Sequence, residues 1–220
     1  ANKPTCDVVV CPPATLLAKI DRAFDAGVIQ LGGQDCHADE KGAHTGDISA
    51  EMLRDTGCSY VIVGHSERRA DHAEGDAQVR AKAAAVLRAG MTAIVCVGET
   101  RAERDAGNAL SVVEGQVVGS LPPGAQGDNT VIAYEPVWAI GSGSTPTLDE
   151  IAAVHRHIRA VLDGALKAEA TGVRIIYGGS VNAANAGDIL DVDTVDGALV
   201  GGASLKIEDF WSIIAAADAR

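Results

Sequence analysis

Short apolar runs recur along the chain at residues 7–11, 29–32, 60–63, 92–97, 130–134, 174–177 and 197–200, with Gly, Pro or Asp near their ends. Their apolar positions are consecutive rather than alternating and favour β-branched residues, the pattern of parallel strands covered on both faces. The intervening segments have helical spacing and predict helices over 14–26, 49–56, 76–89, 101–120, 148–167, 183–190 and 207–217. The clearest opens at Thr147, whose hydroxyl can cap while Glu150 reaches back, ahead of Ile151, Val154, Ile158, Val161 and Leu162. His155 and His157 are two apart on that helix and so lie on different faces. The expectation for both is solvent exposure rather than a metal pair.

Seven strand-then-helix repeats fit either a doubly wound open sheet or a (β/α)8 barrel. An open dinucleotide-binding sheet would carry G-x-G-x-x-G after its first strand, whereas here that strand runs into Cys11-Pro12-Pro13. Polar, Gly-rich stretches instead follow later strands, at Gly64-His65-Ser66-Glu67, Tyr134-Glu135-Pro136, Gly178-Gly179-Ser180 and Gly201-Gly202. In a barrel such loops converge on the face where active sites sit. No Pro/Ser-rich linker divides the chain, so one domain over 1–220 is expected. Seven strands and 220 residues fall one βα unit short of a barrel of about 250. The expected fold is α/β, a (β/α)8 barrel contributing strands 2 to 8, its first βα unit absent from this chain.

Charge and composition restrict the partners. With 18 Lys+Arg against 30 Asp+Glu, a formal net charge of −12 and no basic run, the chain suits neither nucleic acid nor an anionic membrane. No apolar run approaches the roughly 18 residues of a membrane span, and the start lacks the charged-then-apolar order of a signal peptide. Cys6, Cys11, Cys36, Cys58 and Cys96 are odd in number and form no C-x-x-C pair, which suggests neither a disulfide framework nor a zinc site and points to a reducing cytosol.

Glu135 ends an apolar strand directly before Pro136, and alone it reads as a solvated loop carboxylate or as a base. The following Val137-Trp138-Ala139-Ile140-Gly141-Ser142-Gly143, apolar with a stiff entry and flexible glycines, has the composition of a moving lid. A lid that excludes water makes a carboxylate a stronger base. His65 ends another strand, either as a buried hydrogen-bonded residue or as an imidazole that polarises a carbonyl and shuttles protons between neighbouring oxygens. Glu67 either pairs with Arg68 or Arg69 or orients its neighbours. The turns at Gly178-Gly179-Ser180 and Gly201-Gly202 are simple turn formers or, after the last two barrel strands and before helix starts, a phosphate site built from backbone N–H groups.

Taken in order, Val-Gly-His65-Ser-Glu67-Arg-Arg, Ala-Tyr-Glu135-Pro-Val-Trp-Ala-Ile-Gly141, Tyr-Gly-Gly-Ser180-Val and Val-Gly201-Gly202-Ala-Ser-Leu resemble the loop 4, 6, 7 and 8 motifs of the triosephosphate isomerase family. The resemblance runs from about Asp7 to the C-terminus and implies a TIM barrel. It also implies interconversion of dihydroxyacetone phosphate and glyceraldehyde 3-phosphate through an enediolate, with no metal and no organic cofactor. By this resemblance, and not by spacing, Glu135 is the base and His65 the neutral electrophile, the family's established pairing. Glu67 is the supporting carboxylate, and Gly141, Ser180, Gly201 and Gly202 bind the substrate phosphate. Residues 35–48, rich in Gly, His and Asp, resemble the loop that enters a second subunit, with Thr45 approaching the partner's site, and so imply a cytoplasmic homodimer. On its own that segment is also readable as a surface excursion.

Two features depart from the family. Its first strand ends in a substrate-contacting Asn and Lys, whereas Lys3 precedes the first visible strand here, so about 30 further N-terminal residues with such a lysine are expected. The lid's closing hinge reads Ser144-Thr145-Pro146 where the family more usually has Lys-Thr-Ala, and a proline should stiffen it. Other readings are an inactive barrel used for binding or scaffolding, and another phosphosugar barrel such as an epimerase. The Glu-Pro-Val-Trp lid and the lack of a metal-ligand set disfavour the latter.

Overall fold

The computed structural model describes residues 3–21, 28–140 and 145–220. Seven strands form one sheet in chain order: β1 (Val9–Val10), β2 (Gln30–Gly33), β3 (Cys58–Val63), β4 (Thr92–Val97), β5 (Thr130–Tyr134), β6 (Arg174–Tyr177) and β7 (Gly197–Ala198). Each pairs in parallel with the next. A doubly wound sheet reverses its strand order at a switch point; an unbroken order is that of a barrel.

Continuous apolarity in the strands follows from burial on both faces. In β4, Ala93, Val95 and Val97 join the cluster shared with the helices, while Ile94 and Cys96 face an interior cluster. In β5, Ile132 and Tyr134 point outward and Val131 and Ala133 inward. The interior also takes Tyr60 and Ile62 from β3 and is reached by Val9, Ile176 and Leu199, which only a curled sheet can bring together. Arg174 on β6 spans that interior, donating to Asp7 Oδ2 at 2.8 Å and to the Tyr60 hydroxyl at 3.4 Å.

The helices are α1 (Leu17–Asp21), α2 (Ala50–Asp55), α3 (Ser66–Asp71), α4 (Asp76–Arg88), α5 (Arg101–Asp105), α6 (Ala109–Ser120), α7 (Leu148–Leu166), α8 (Ala186–Leu190) and α9 (Ile207–Asp218). Within the helix expected over 14–26, a 3-10 turn at Ala14–Leu16 precedes α1, and residues 22–27 lie outside the described residues. The single helix expected over 101–120 is two. Gly107, at φ +76°, donates its N–H to the Arg104 carbonyl at 2.9 Å and ends α5, a C-terminal turn that glycine adopts without steric cost. Residues 183–185 precede α8 as a turn in which Asn182 Oδ1 accepts the Ala184 N–H at 2.9 Å. Helix α3, within a stretch expected to be loop, starts directly after His65.

The capping box at Thr147 and Glu150 forms as expected. The expected exposure of His155 is corrected: it is fully buried. It stands four residues after Ile151 and three before Ile158, on the stripe that packs against the sheet.

Candidate active site

The parallel sheet puts the ends of β3 and β5 on one rim. His65 follows β3 after Gly64 and caps α3, while Glu135 follows β5 and continues its ladder, donating its N–H to the Val97 carbonyl at 2.8 Å. Seventy residues apart in sequence, the two side chains meet with His65 Nε2 2.9 Å from Glu135 Oε1. Glu135 is 2% exposed, and its two oxygens are held further by Ser66, whose backbone N–H donates to Oε2 at 3.0 Å and whose hydroxyl donates to Oε1 at 3.2 Å. A buried carboxylate with these donors is oriented rather than loose.

The ring of His65 is oriented from its other side. The Glu67 N–H donates to Nδ1 at 3.3 Å, so Nδ1 presents its lone pair and Nε2 carries the proton that faces Glu135. The hydrogen bond to Glu135 raises the His65 pKa, burial works against it, and the charges of Glu135 and Glu67 add to the rise. Glu67 itself is largely exposed, its Oε2 3.7 Å from Nδ1. Neither arginine beside it takes the ion pair open to it: Arg68 pairs with Glu74 and Asp35, and Arg69 with Asp76.

Several supporting groups were invisible to motif reading. Arg69 donates to the Gly64 carbonyl at 2.9 Å and the Cys96 carbonyl at 3.2 Å, fastening the β3 end that carries His65 to the β4 end beneath Glu135. Gln116 brackets Gly98, accepting its N–H at 2.7 Å and donating to its carbonyl at 3.1 Å. Glu99, fully buried after β4, accepts from the Trp138 indole at 2.7 Å and the Tyr134 hydroxyl at 3.2 Å. Trp138, in the 3-10 turn Val137–Ala139 at the lid's entry, also lies under Arg104, whose guanidinium is 4.1 Å from its ring centroid. Glu99 carried one legible signal, a carboxylate just past a barrel strand. A cavity of about 180 Å³ borders Glu135 and is lined also by Gly64, Ser66, Arg69 and Gln116.

Ser180 lies just beyond β6 and Gly201 and Gly202 just beyond β7, all three exposed at the same rim. Among the described residues, no acceptor takes the N–H of Ser180 or Gly201. Gly202 opens the 3-10 turn Gly202–Leu205, leaving its own N–H outside the turn's bonding. Gly141, and Ser144 of the expected hinge, lie outside the described residues. Residues 35–48 leave the end of β2 and return with the His37 N–H donating to the Ile48 carbonyl at 2.8 Å.

A family model described as triosephosphate isomerase matches residues 1–217. Among curated relatives, triosephosphate isomerase from Ruegeria sp. (strain TM1040) is 61% identical over 211 residues, covering 96% of this chain and 85% of the relative. That from Chelativorans sp. (strain BNC1) is 59% identical over 210 residues, covering 96% and 83%. The crystal structure of triosephosphate isomerase from Bartonella henselae superposes with a TM-score of 0.91 at 46% identity, covering 96% of this chain and 86% of that one.

Proposed function

The chain belongs to the triosephosphate isomerase family, and from that membership we propose how its own residues carry out the interconversion of dihydroxyacetone phosphate and D-glyceraldehyde 3-phosphate, the family's step in glycolysis. The observation that carries the assignment is the 2.9 Å approach of His65 Nε2 to a Glu135 carboxylate that is almost wholly buried.

Glu135 acts as the base. It takes a proton from C1 of dihydroxyacetone phosphate, the C–H electron pair becomes the C1=C2 bond, and the carbonyl oxygen on C2 takes the charge. His65 donates its Nε2 proton to that oxygen and then takes the O1 proton onto the same nitrogen, which leaves a hydroxyl on O2, the charge on O1 and the ring neutral again. The protonated Glu135 then returns its proton to C2, which gives the aldehyde. To reach C1, Glu135 exchanges its bonds to His65 and Ser66 for the substrate carbon. That move removes the chief cause raising the His65 pKa and leaves burial to favour the neutral ring, the form able to donate to an oxyanion without first losing a charge. Glu67 positions the ring through its backbone N–H.

The N–H groups of Ser180, Gly201, Gly202 and Gly141 hold the phosphate. Oriented amides are suited to this in a chain of net charge −12, whose long-range field repels anions. Residues 35–48 join two copies of the chain, with Thr45 reaching the partner's site. Buried thiols at Cys36 and Cys96 support a reducing, cytosolic setting. Among the described residues no helix is long and apolar enough to cross a membrane.

Glu135→Asp tests the assignment by withdrawing the carboxylate one methylene. A displacement of about 1 Å costs about a hundredfold in rate, and the loss should fall on kcat far more than on KM. Turnover within a factor of about two of the parent would remove Glu135 from the role of base.

A further inference from the structure

We propose that Asn185, the last residue before α8, is a positioning residue for the phosphate site: its side-chain amide fixes the peptide plane after Ser180 and so aims the Ser180 N–H at the substrate. The inference rests on the proposed contact between that N–H and the phosphate. An asparagine at the start of a helix ordinarily accepts an N–H from the helix's own first turn, yet Asn185 makes no such bond to α8. Its side chain reaches back along the loop instead. Oδ1 accepts the Asn182 N–H at 2.8 Å, and Nδ2 donates to the Ser180 carbonyl at 3.0 Å. A backbone N–H can only donate and a carbonyl only accept, so both bonds form in one orientation of the amide and a flipped amide would lose both.

The first of these bonds belongs to a cap. Asn182 Oδ1 accepts the Ala184 N–H at 2.9 Å and the Asn185 N–H at 3.3 Å, and Asn185 Oδ1 returns a bond to the Asn182 N–H, the reciprocal pattern of a capping box. The residue three places on from such a cap is ordinarily Glu or Gln, and a carboxylate there has no hydrogen to give to Ser180. The second bond therefore serves the loop and not the helix. Upstream, Gly178 is held by its N–H, which donates to the Tyr134 carbonyl at 2.7 Å, and downstream Val181 is buried. With the Ser180 carbonyl tied as well, the peptide joining Gly179 to Ser180 is bracketed on both sides. Its N–H, which no acceptor among the described residues takes, keeps one direction at the rim. A preorganised amide binds an anion without the cost of being ordered on contact.

The test is titration of the ¹⁵N-labelled 220-residue chain with inorganic phosphate, followed at the amide signal of Ser180. In the parent that signal should shift and saturate. Asn185→Asp and Asn182→Asp each add one negative charge to the loop and keep the acceptor that makes the cap, but only the first removes the donor to Ser180. Asn185→Asp and the uncharged Asn185→Ala should each weaken phosphate binding by about fivefold or more, and Asn182→Asp by no more than about twofold, with unchanged far-ultraviolet circular dichroism in all three. A Ser180 signal unmoved by millimolar phosphate in the parent would remove the phosphate site itself, and the inference with it. A parent that responds, with Asn185→Ala binding as tightly or with the two aspartate variants weakened alike, would overturn the role of Asn185 alone.

Discussion

With its Nδ1 2.8 Å from the Thr194 carbonyl and its ring beside those of Tyr134 and Tyr177, His155 is held neutral inside the fold. Burial pushes its pKa down to about 4 from an ordinary 6.5. Below pH 6.5 the unfolded chain therefore binds a proton that the folded chain refuses. The associated stability is complete above pH 6.5 and drains away as pH falls towards 4, by about 3 kcal/mol in all. Urea unfolding of the parent and of His155→Gln between pH 7.5 and 4 should show a steeper loss in the parent. Parallel curves would mean that His155 titrates normally. Its burial was legible at this scale in its spacing from Ile151 and Ile158, but its distance from His157 drew attention instead. His65 and Glu135 were legible because each stands at the end of an apolar run. Ser66, Arg69 and Gln116 were not, because their roles rest on partners 18 to 69 residues away in the chain, which no local spacing encodes, and Glu99 showed only its place past a strand.

A buried charge network ties the elements around His65 together. Glu74, with its side chain 1% exposed between α3 and α4, takes Arg68 Nε at 2.6 Å and Lys82 Nζ at 2.6 Å, while Asp35 after β2 takes the same two cations at 2.9 and 2.8 Å. Burial pushes the Glu74 carboxyl up, yet the bonds from Lys82 and Arg68 outweigh it and hold the group below the usual range. Glu74→Ala would leave Lys82, 6% exposed, with one carboxylate instead of two, and loss of a buried partner costs roughly 3–5 kcal/mol. Thermal unfolding should show the drop, and a melting temperature unchanged from the parent would contradict it. At this scale β4, β5 and β6 were readable to the residue, because burial on both faces makes apolarity continuous along a strand. The short rim elements were not. Helix α3 has no buried apolar residue to give it a period, and the break at Gly107 interrupts an otherwise helical stretch without a proline to mark it.

Across the whole molecule, the unbroken strand order and the Arg174 bridge to Asp7 and Tyr60 set a curled sheet whose loops share one rim. The choice of barrel over open sheet was legible in the missing Gly-rich turn and in the placing of polar residues after strands. If residues 35–48 join two copies, sedimentation at micromolar concentration should give a dimer that dissociates on dilution, and excision of 39–46 should give a monomer. A parent that sediments as a monomer would remove the loop from that role. In the proposed reaction one carboxylate carries a proton from C1 to C2 through an enediolate. During that interval the proton sits on Glu135, where it can exchange with solvent. The most direct measurement is turnover of dihydroxyacetone phosphate in D₂O, with the product read by NMR. Proton transfer through Glu135 should place deuterium at C2 of glyceraldehyde 3-phosphate in a substantial fraction of molecules, and Glu135→Gln should lose both turnover and labelling. Product formed at full rate with hydrogen alone at C2, as a direct hydride shift would give, would contradict it.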